Sequence, residues 1–153
     1  MLNAPKIKLL QGFCSLNFGT SIEEAILLFG EPEEIQNIDD DVLNNSSLIA
    51  HYWDLGFSLF FENHFNKHFY SVEIDNKETL LFNCKLFTLN EKELIQLLLQ
   101  NGHALSDKEN HPWGEKRISF DSISLDCYFE HNKLVSVNYG VLDSEPNFNY
   151  FPS

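Results

Sequence analysis

His51-Tyr52-Trp53-Asp54-Leu55-Gly56-Phe57-Ser58-Leu59-Phe60-Phe61-Glu62, a polar run through residues 63–67, and then Phe69-Tyr70-Ser71-Val72-Glu73-Ile74 alternate apolar with polar side chains and are dense in aromatics. A period of two puts every second side chain on one face, the pattern of half-buried antiparallel strands. The pattern returns as Phe120-Asp121-Ser122-Ile123-Ser124-Leu125-Asp126-Cys127-Tyr128-Phe129-Glu130, a short turn, and Leu134-Val135-Ser136-Val137-Asn138-Tyr139. Strands are expected near residues 48–54, 57–62, 69–75, 115–120, 122–130 and 134–139, with Leu55-Gly56 as a tight turn between the first two. Residues 80–87 read as a further strand or a crossing segment.

Two short helices precede these strand groups. In Ser21-Ile22-Glu23-Glu24-Ala25-Ile26-Leu27-Leu28-Phe29-Gly30-Glu31-Pro32, Ser21 is an N-cap and Glu24 stands three residues on, the spacing of a capping box. Ile22, Ala25, Ile26 and Phe29 fall on one stripe, and Gly30 and Pro32 stop the helix. Asn90, Glu93 and Gly102 repeat that grammar around Leu94-Ile95-Gln96-Leu97-Leu98-Leu99. Residues 33–47 and 103–112 read as polar loops. Trp53-Asp54 answers Phe120-Asp121, Phe61-Glu62 answers Phe129-Glu130, and Ser71-Val72 answers Ser136-Val137. The expectation is a single α+β domain, 1–153, built by duplication. Each unit is a helix plus a three-stranded antiparallel meander, the first at about 12–75 and the second at about 84–139. Together they form one curved sheet with the helices on one face. The tail, 140–153, is expected to dock its aromatics on the body.

Composition narrows the function. The chain has 153 residues, 43% hydrophobic and 14% aromatic, enough for a core. Its net charge is −13, and its one arginine is Arg117. Such a balance disfavours nucleic-acid and anionic-membrane binding, both of which need basic patches. It suits a basic protein partner instead, a toxin or nuclease among them. The charge is uneven: no Lys or Arg lies between Lys8 and Lys67, whereas ten acidic residues do, six of them in residues 31–41. Cys14, Cys84 and Cys127 lie in apolar runs without CxxC spacing and read as small buried hydrophobes in a reducing compartment. The first ten residues lack the apolar core and cleavage site of a signal peptide, and no window reaches a membrane span. A cytoplasmic location is expected.

Alternation divides each strand between two faces. Trp53, Phe57, Leu59, Phe61, Tyr70, Val72 and Ile74, with Phe120, Ile123, Leu125, Cys127, Phe129, Val135, Val137 and Tyr139, are expected against the helices. The other face then carries Tyr52, Asp54, Phe60, Glu62, Phe69 and Glu73, joined by Arg117, Asp126, Tyr128, Glu130 and Asn138. Aromatic anchors among carboxylates are what a protein-binding surface needs. Tyr52, Asp54, Phe60, Glu62, Phe69, Glu73, Asp126, Tyr128 and Glu130 are therefore the candidate partner-binding residues, and a homodimer through the same face is the competing use.

No catalytic grammar is present. There is no Gly-x-Ser-x-Gly, P-loop, dinucleotide fingerprint or HExxH. His64 and His68 flank a turn, and no histidine set has zinc-site spacing. No cofactor or metal is expected, and no catalytic residue is assigned. A Cys127–His131 pair would need a thiol that alternation puts in the core. The one alternative centre is a ligand-binding or enzymatic site near His103, His111 and Trp113.

The unit Gly19-Thr20-Ser21, Glu24, Leu28-Phe29-Gly30-Glu31-Pro32 followed by a meander resembles the repeat of β-lactamase-inhibitor-protein-like domains and the related small domain of outer-membrane assembly lipoproteins. The resemblance covers residues 12–75 and, more weakly, 84–139, where Asn101-Gly102-His103 replaces the Gly-x-Pro stop. It implies two helix-plus-sheet units whose concave face grips a protein. In its acidity and duplication the chain is also similar to bacterial toxin-immunity proteins. The function expected is thus a non-enzymatic inhibitor that blocks a basic enzyme or toxin.

Overall fold

The computed structural model describes residues 4–40, 45–62 and 68–141. Strands β1 (Ile7–Lys8), β2 (Gly12–Phe13) and β3 (Leu16–Asn17) lead to helix α1 (Ile22–Phe29). The chain then runs back and forth through β4 (Glu34–Asp40), β5 (Asn45–Tyr52), β6 (Phe57–Glu62) and β7 (His68–Ile74). A small hairpin, β8 (Leu80–Leu81) with β9 (Cys84–Lys85), a 3-10 turn at Leu86–Thr88 and helix α2 (Glu91–Gln100) follow. Last come β10 (Asp107–Asn110), β11 (Glu115–Phe120), β12 (Leu125–Glu130) and β13 (Lys133–Gly140). The long strands form one antiparallel sheet of eight in the order β10-β11-β12-β13-β7-β6-β5-β4.

This architecture overturns the expected α+β arrangement of two helix-plus-three-stranded-meander units. The protein is mostly β, its body is a single eight-stranded sheet, and the two helices have only 8 and 10 residues. The difference comes from β4 and β10, both read from sequence as loops. Asp107–Asn110 is exposed at every position, and Ile35 and Ile38 of β4 stand in water. Among the described side chains neither segment has a buried side to produce alternation. Each is a strand because it completes the backbone ladder of its neighbour, β5 or β11. Charged, exposed outer strands are also how sheets discourage edge-to-edge association.

The helix ends follow the sequence. The Ser21 hydroxyl accepts from the Glu24 N–H at 3.3 Å. Asn90 and Glu93 cap each other reciprocally, at 2.8 and 2.9 Å. Gly30 ends α1 at φ +87, donating its N–H to the Ile26 carbonyl. Ala25, Leu94 and Leu98 are fully buried and join one cluster with Phe13, Leu16 and Leu81 from the hairpins, Leu86 from the 3-10 turn, and Leu59, Val72, Ile74, Ile118, Cys127 and Val137 from the sheet. Helices and hairpins therefore pack on one face, with each buried Leu or Phe side chain contributing roughly 1.5–3 kcal/mol by transfer from water. Two tyrosines anchor the layers across that core. Tyr139 donates to the Gly12 carbonyl and Tyr52 to the Gly30 carbonyl, both at 2.8 Å.

Strand parity departs from the reading in two ways. The loop between β5 and β6 is four residues long, so Tyr52 pairs with Phe57 and faces the core, while Trp53 sits in the turn, 58% exposed. In the β6–β7 and β12–β13 hairpins the register shifts after Phe60 and after Tyr128. Tyr70 and Val135 are the extra residues of these bulges. Beyond each bulge the faces exchange, so Phe69 and Leu134 turn inward and Tyr70 and Val135 become half-buried. Cys127 is in the core as expected, whereas Cys14 and Cys84 are only partly buried. The tail beyond residue 141 and His64 lie outside the described residues.

Candidate functional site

Directly paired residues of antiparallel strands share a face. Following the pairs outward from the centre gives Glu34, His51, Ser58, Glu73, Asn138, Asp126, Ser119 and Asp107, one residue from each of the eight strands. At a strand spacing of about 4.8 Å this polar row is roughly 34 Å long. The parallel row of Ser136, Tyr128, Arg117 and Glu109 lies beside it, and Ile49, Phe60 and Ser71 flank its other end. Apart from buried Ile49, Ser58 and Ser119, these residues are half-buried or exposed. The helices and hairpins place their apolar residues in the core on the opposite side.

The two ends of the face differ in electrostatics. At the β10–β12 end, Arg117 meets Asp107 and Glu109, each at 3.2 Å, and Asp126 at 3.7 Å, and it also donates to Ser119. Partial burial opposes its charge, but the Glu109 and Asp107 hydrogen bonds and the Asp126 charge outweigh that and raise its pKa. The chain's one guanidinium is thus consumed internally by three carboxylates. Tyr128, beside it, has its pKa raised by burial first and then by Asp126, Glu73 and Glu115, against a lowering by Arg117. It stays a neutral phenol able to donate.

At the other end, among the described residues, Glu34, Glu73 and Asp75 form no ion pair. His51 is held through both ring nitrogens, Nδ1 to the Ser58 hydroxyl at 2.8 Å and Nε2 to Gln36 Oε1 at 3.0 Å. Trp53 stacks on it, with centroids 5.0 Å apart and planes 18° apart. Beside this stack is a cleft of about 390 Å³ lined by His51, Trp53, Ser58, Glu73, Asp75 and Ser136, among others. A larger groove, about 780 Å³, runs between the first hairpins and the end of α1. Lys6 and Lys8 face Asp54 and Glu78 there, so it holds no single sign of charge.

The candidate residues sort accordingly. Phe60, Glu62, Glu73, Asp126, Tyr128 and Glu130 are on the open face, Phe60 lying edge-on to Tyr70 at 6.4 Å. Asp54 is exposed in the β5–β6 turn, its N–H bound to Glu33 at 2.7 Å. Tyr52 and Phe69 are corrections: they are 1% and 0% exposed on the core face, for the turn-length and bulge reasons above. Burial, helped by Glu31 and Glu33, pushes the Tyr52 phenol up to about 12. Sequence reading missed His51, Ser58, Trp53 and Asp75. Counting a four-residue loop ending at Gly56 would have paired His51 with Ser58.

The alternative centre does not assemble as one site. His103 stacks on Phe82 at 6.2 Å, whereas His111 stacks on Trp113 at 4.5 Å and points Nε2 at Glu109 and Glu115, 3.5 and 3.9 Å away. Cys127 is fully buried, and burial, with Asp126, raises its pKa far above the ordinary thiol value. Among the described residues no three His, Cys, Asp or Glu side chains are grouped to hold a metal ion. Nor is any helix among them long and apolar enough to cross a membrane.

No protein-family model and no curated protein matches the chain. Among solved structures it is similar to an extracellular protein containing a SCP domain from Bacillus anthracis, at 12% identity and a TM-score of 0.45. The match covers 79% of this chain and 43% of that one, so it spans less than half of that protein's length. Likeness at this level carries nothing over to this chain.

Proposed function

We propose that the chain is a non-enzymatic protein-binding module that takes a basic protein on the open face of its sheet. In the finer form of this reading it is an inhibitor or immunity protein that covers the active site of a basic enzyme or toxin. The observation that carries the reading is the polar row across all eight strands, with carboxylates at Glu34 and Glu73 that form no ion pair among the described residues and at Asp126 and Asp107, which share Arg117 of the neighbouring row. Trp53, Phe60 and Tyr128 add aromatic area beside it, and rim carboxylates steer and select more than they bind. Occlusion needs no chemistry from this chain: a covered cleft admits no substrate, and the carboxylates stand where a polyanionic substrate's charges would be. A second copy suits the face poorly, because its like charges would be opposed.

The test is capture from native cell extract on immobilised wild-type chain and on the triple variant Glu34→Lys, Glu62→Lys, Glu130→Lys. A basic protein held by the wild type, released by salt, and bound at least tenfold more weakly by the variant is the expected result. Capture that ignores both the reversal and the salt concentration overturns the reading.

A further inference from the structure

The cleft beside Trp53 is walled by His51, Trp53, Ser58, Glu73, Asp75 and Ser136, among others. We propose, resting on the reading above, that it receives an arginine side chain of the basic partner. Its volume of about 390 Å³ is at the small end of ligand clefts, enough for one long side chain. The aromatic wall is built in advance. His51 is pinned at both nitrogens, and Trp53 is stacked on the pinned ring, so little side-chain freedom is lost on binding.

Charge in the cleft has one sign. Glu73 and Asp75 are two apart, on one side of the chain and roughly 7 Å from each other. Lys77 is not a lining residue; it is held at the margin, donating to the carbonyl of Val135, which lines the cleft, at 3.2 Å and lying over the Phe87 ring at 4.6 Å. With Gln36 Oε1 accepting from His51 Nε2–H, His51 Nδ1 accepts from the Ser58 hydroxyl, leaving the Ser58 oxygen as an acceptor facing the cleft.

A guanidinium fits this set better than an ammonium. It is planar and weakly hydrated, stacks on an indole, and presents five donors in a fork that can serve two carboxylates and a hydroxyl together. A bare metal ion would find two carboxylates and no third ligand of its kind among the described residues.

The test uses the full chain, titrated at low salt with N-acetyl-arginine amide, N-acetyl-lysine amide and N-acetyl-citrulline amide, read by amide and indole N–H chemical shifts. Expected are saturable arginine shifts confined to the Trp53 indole and the Ser58 and Glu73 amides. Citrulline should bind at least tenfold more weakly and lysine at least threefold more weakly. Trp53→Ala, and Glu73→Gln with Asp75→Asn, should each cost at least fivefold, and Glu23→Gln on α1 nothing. Equal binding of citrulline or lysine, or shifts spread over every carboxylate, overturns the assignment. Urea midpoints establish that each variant is folded. Capture of a basic protein that is lost on reversing Glu34, Glu62 and Glu130 but unchanged by the cleft variants would remove the arginine site and leave the binding module standing. Arginine binding without any salt-sensitive basic partner would do the reverse.

Discussion

Replacing Phe69 by Ala and, separately, Phe60 by Ala isolates the bulge in β7. The two aromatics lie in adjacent strands, and simple alternation puts both on the open face. In the structure Phe69 is fully buried, its ring 4.8 Å from Phe18 and 5.9 Å from Phe61. Its backbone also bonds Gly19 and Thr20, both at 2.8 Å. Deleting a fully buried ring leaves a cavity the surrounding sheet cannot close, at about 3–5 kcal/mol. Phe60 is half-buried, with Tyr70 edge-on beside it, so truncation there removes about half the apolar area and costs about 1–2 kcal/mol. A domain of this size holds about 5–15 kcal/mol in all. Phe69→Ala should therefore lower the thermal midpoint by about 10 °C, and Phe60→Ala by about 5 °C or less. Urea unfolding followed by circular dichroism reads both, with the slope m unchanged if only stability has moved. Equal losses, or a larger loss for Phe60→Ala, would refute the bulge and the exchange of faces that follows from it.

Gly56→Ala should cost about 2 kcal/mol or more in the same assay. At φ +81 its new Cβ would meet the Asn76 Cβ at 2.7 Å and disturb the Asn76 amide's bond to the Leu55 carbonyl. Gly30→Ala, at φ +87 and ψ −173, a backbone region essentially reserved for glycine, should cost about 1–3 kcal/mol from backbone strain alone, since its new Cβ meets nothing within 4 Å. Glu91 joins Lys108 and Lys116, both at 2.8 Å, and although burial works against its charge, these partners lower its pKa. A depressed carboxylate contributes stability above its unfolded pKa of about 4.3, and that contribution is lost as the pH falls through the folded value. The Glu91→Gln variant should be weaker than wild type by about 1 kcal/mol at pH 7, and the gap should close below pH 4. A gap independent of pH would show that the two lysines do not act through charge.

The six long strands with a buried side were legible from residues alone, because burial on one face leaves a period of two in the sequence, whereas the two-residue strands β1, β2 and β3 are too short to show one. Both helices were legible for a similarly local reason: Ser21, Asn90, Glu93, Gly30 and Gly102 act on backbone groups within a turn of themselves. The acidity of the open face, and most of its members, followed from the same alternation. Which aromatics line it did not. A bulge after Phe60 and a four-residue loop before Phe57 reverse the parity of Phe69, Tyr70, Tyr52 and Trp53, and neither is written in hydrophobicity. The edge strands β4 and β10 were equally silent, since their polar residues are strands only through the partners they pair with. The pairing of β7 with β13, which joins the strands into one eight-stranded sheet and brings Glu73 beside Asn138, links residues 65 positions apart. Contacts at that distance form only once the core has closed beneath them, so tertiary structure alone decided them.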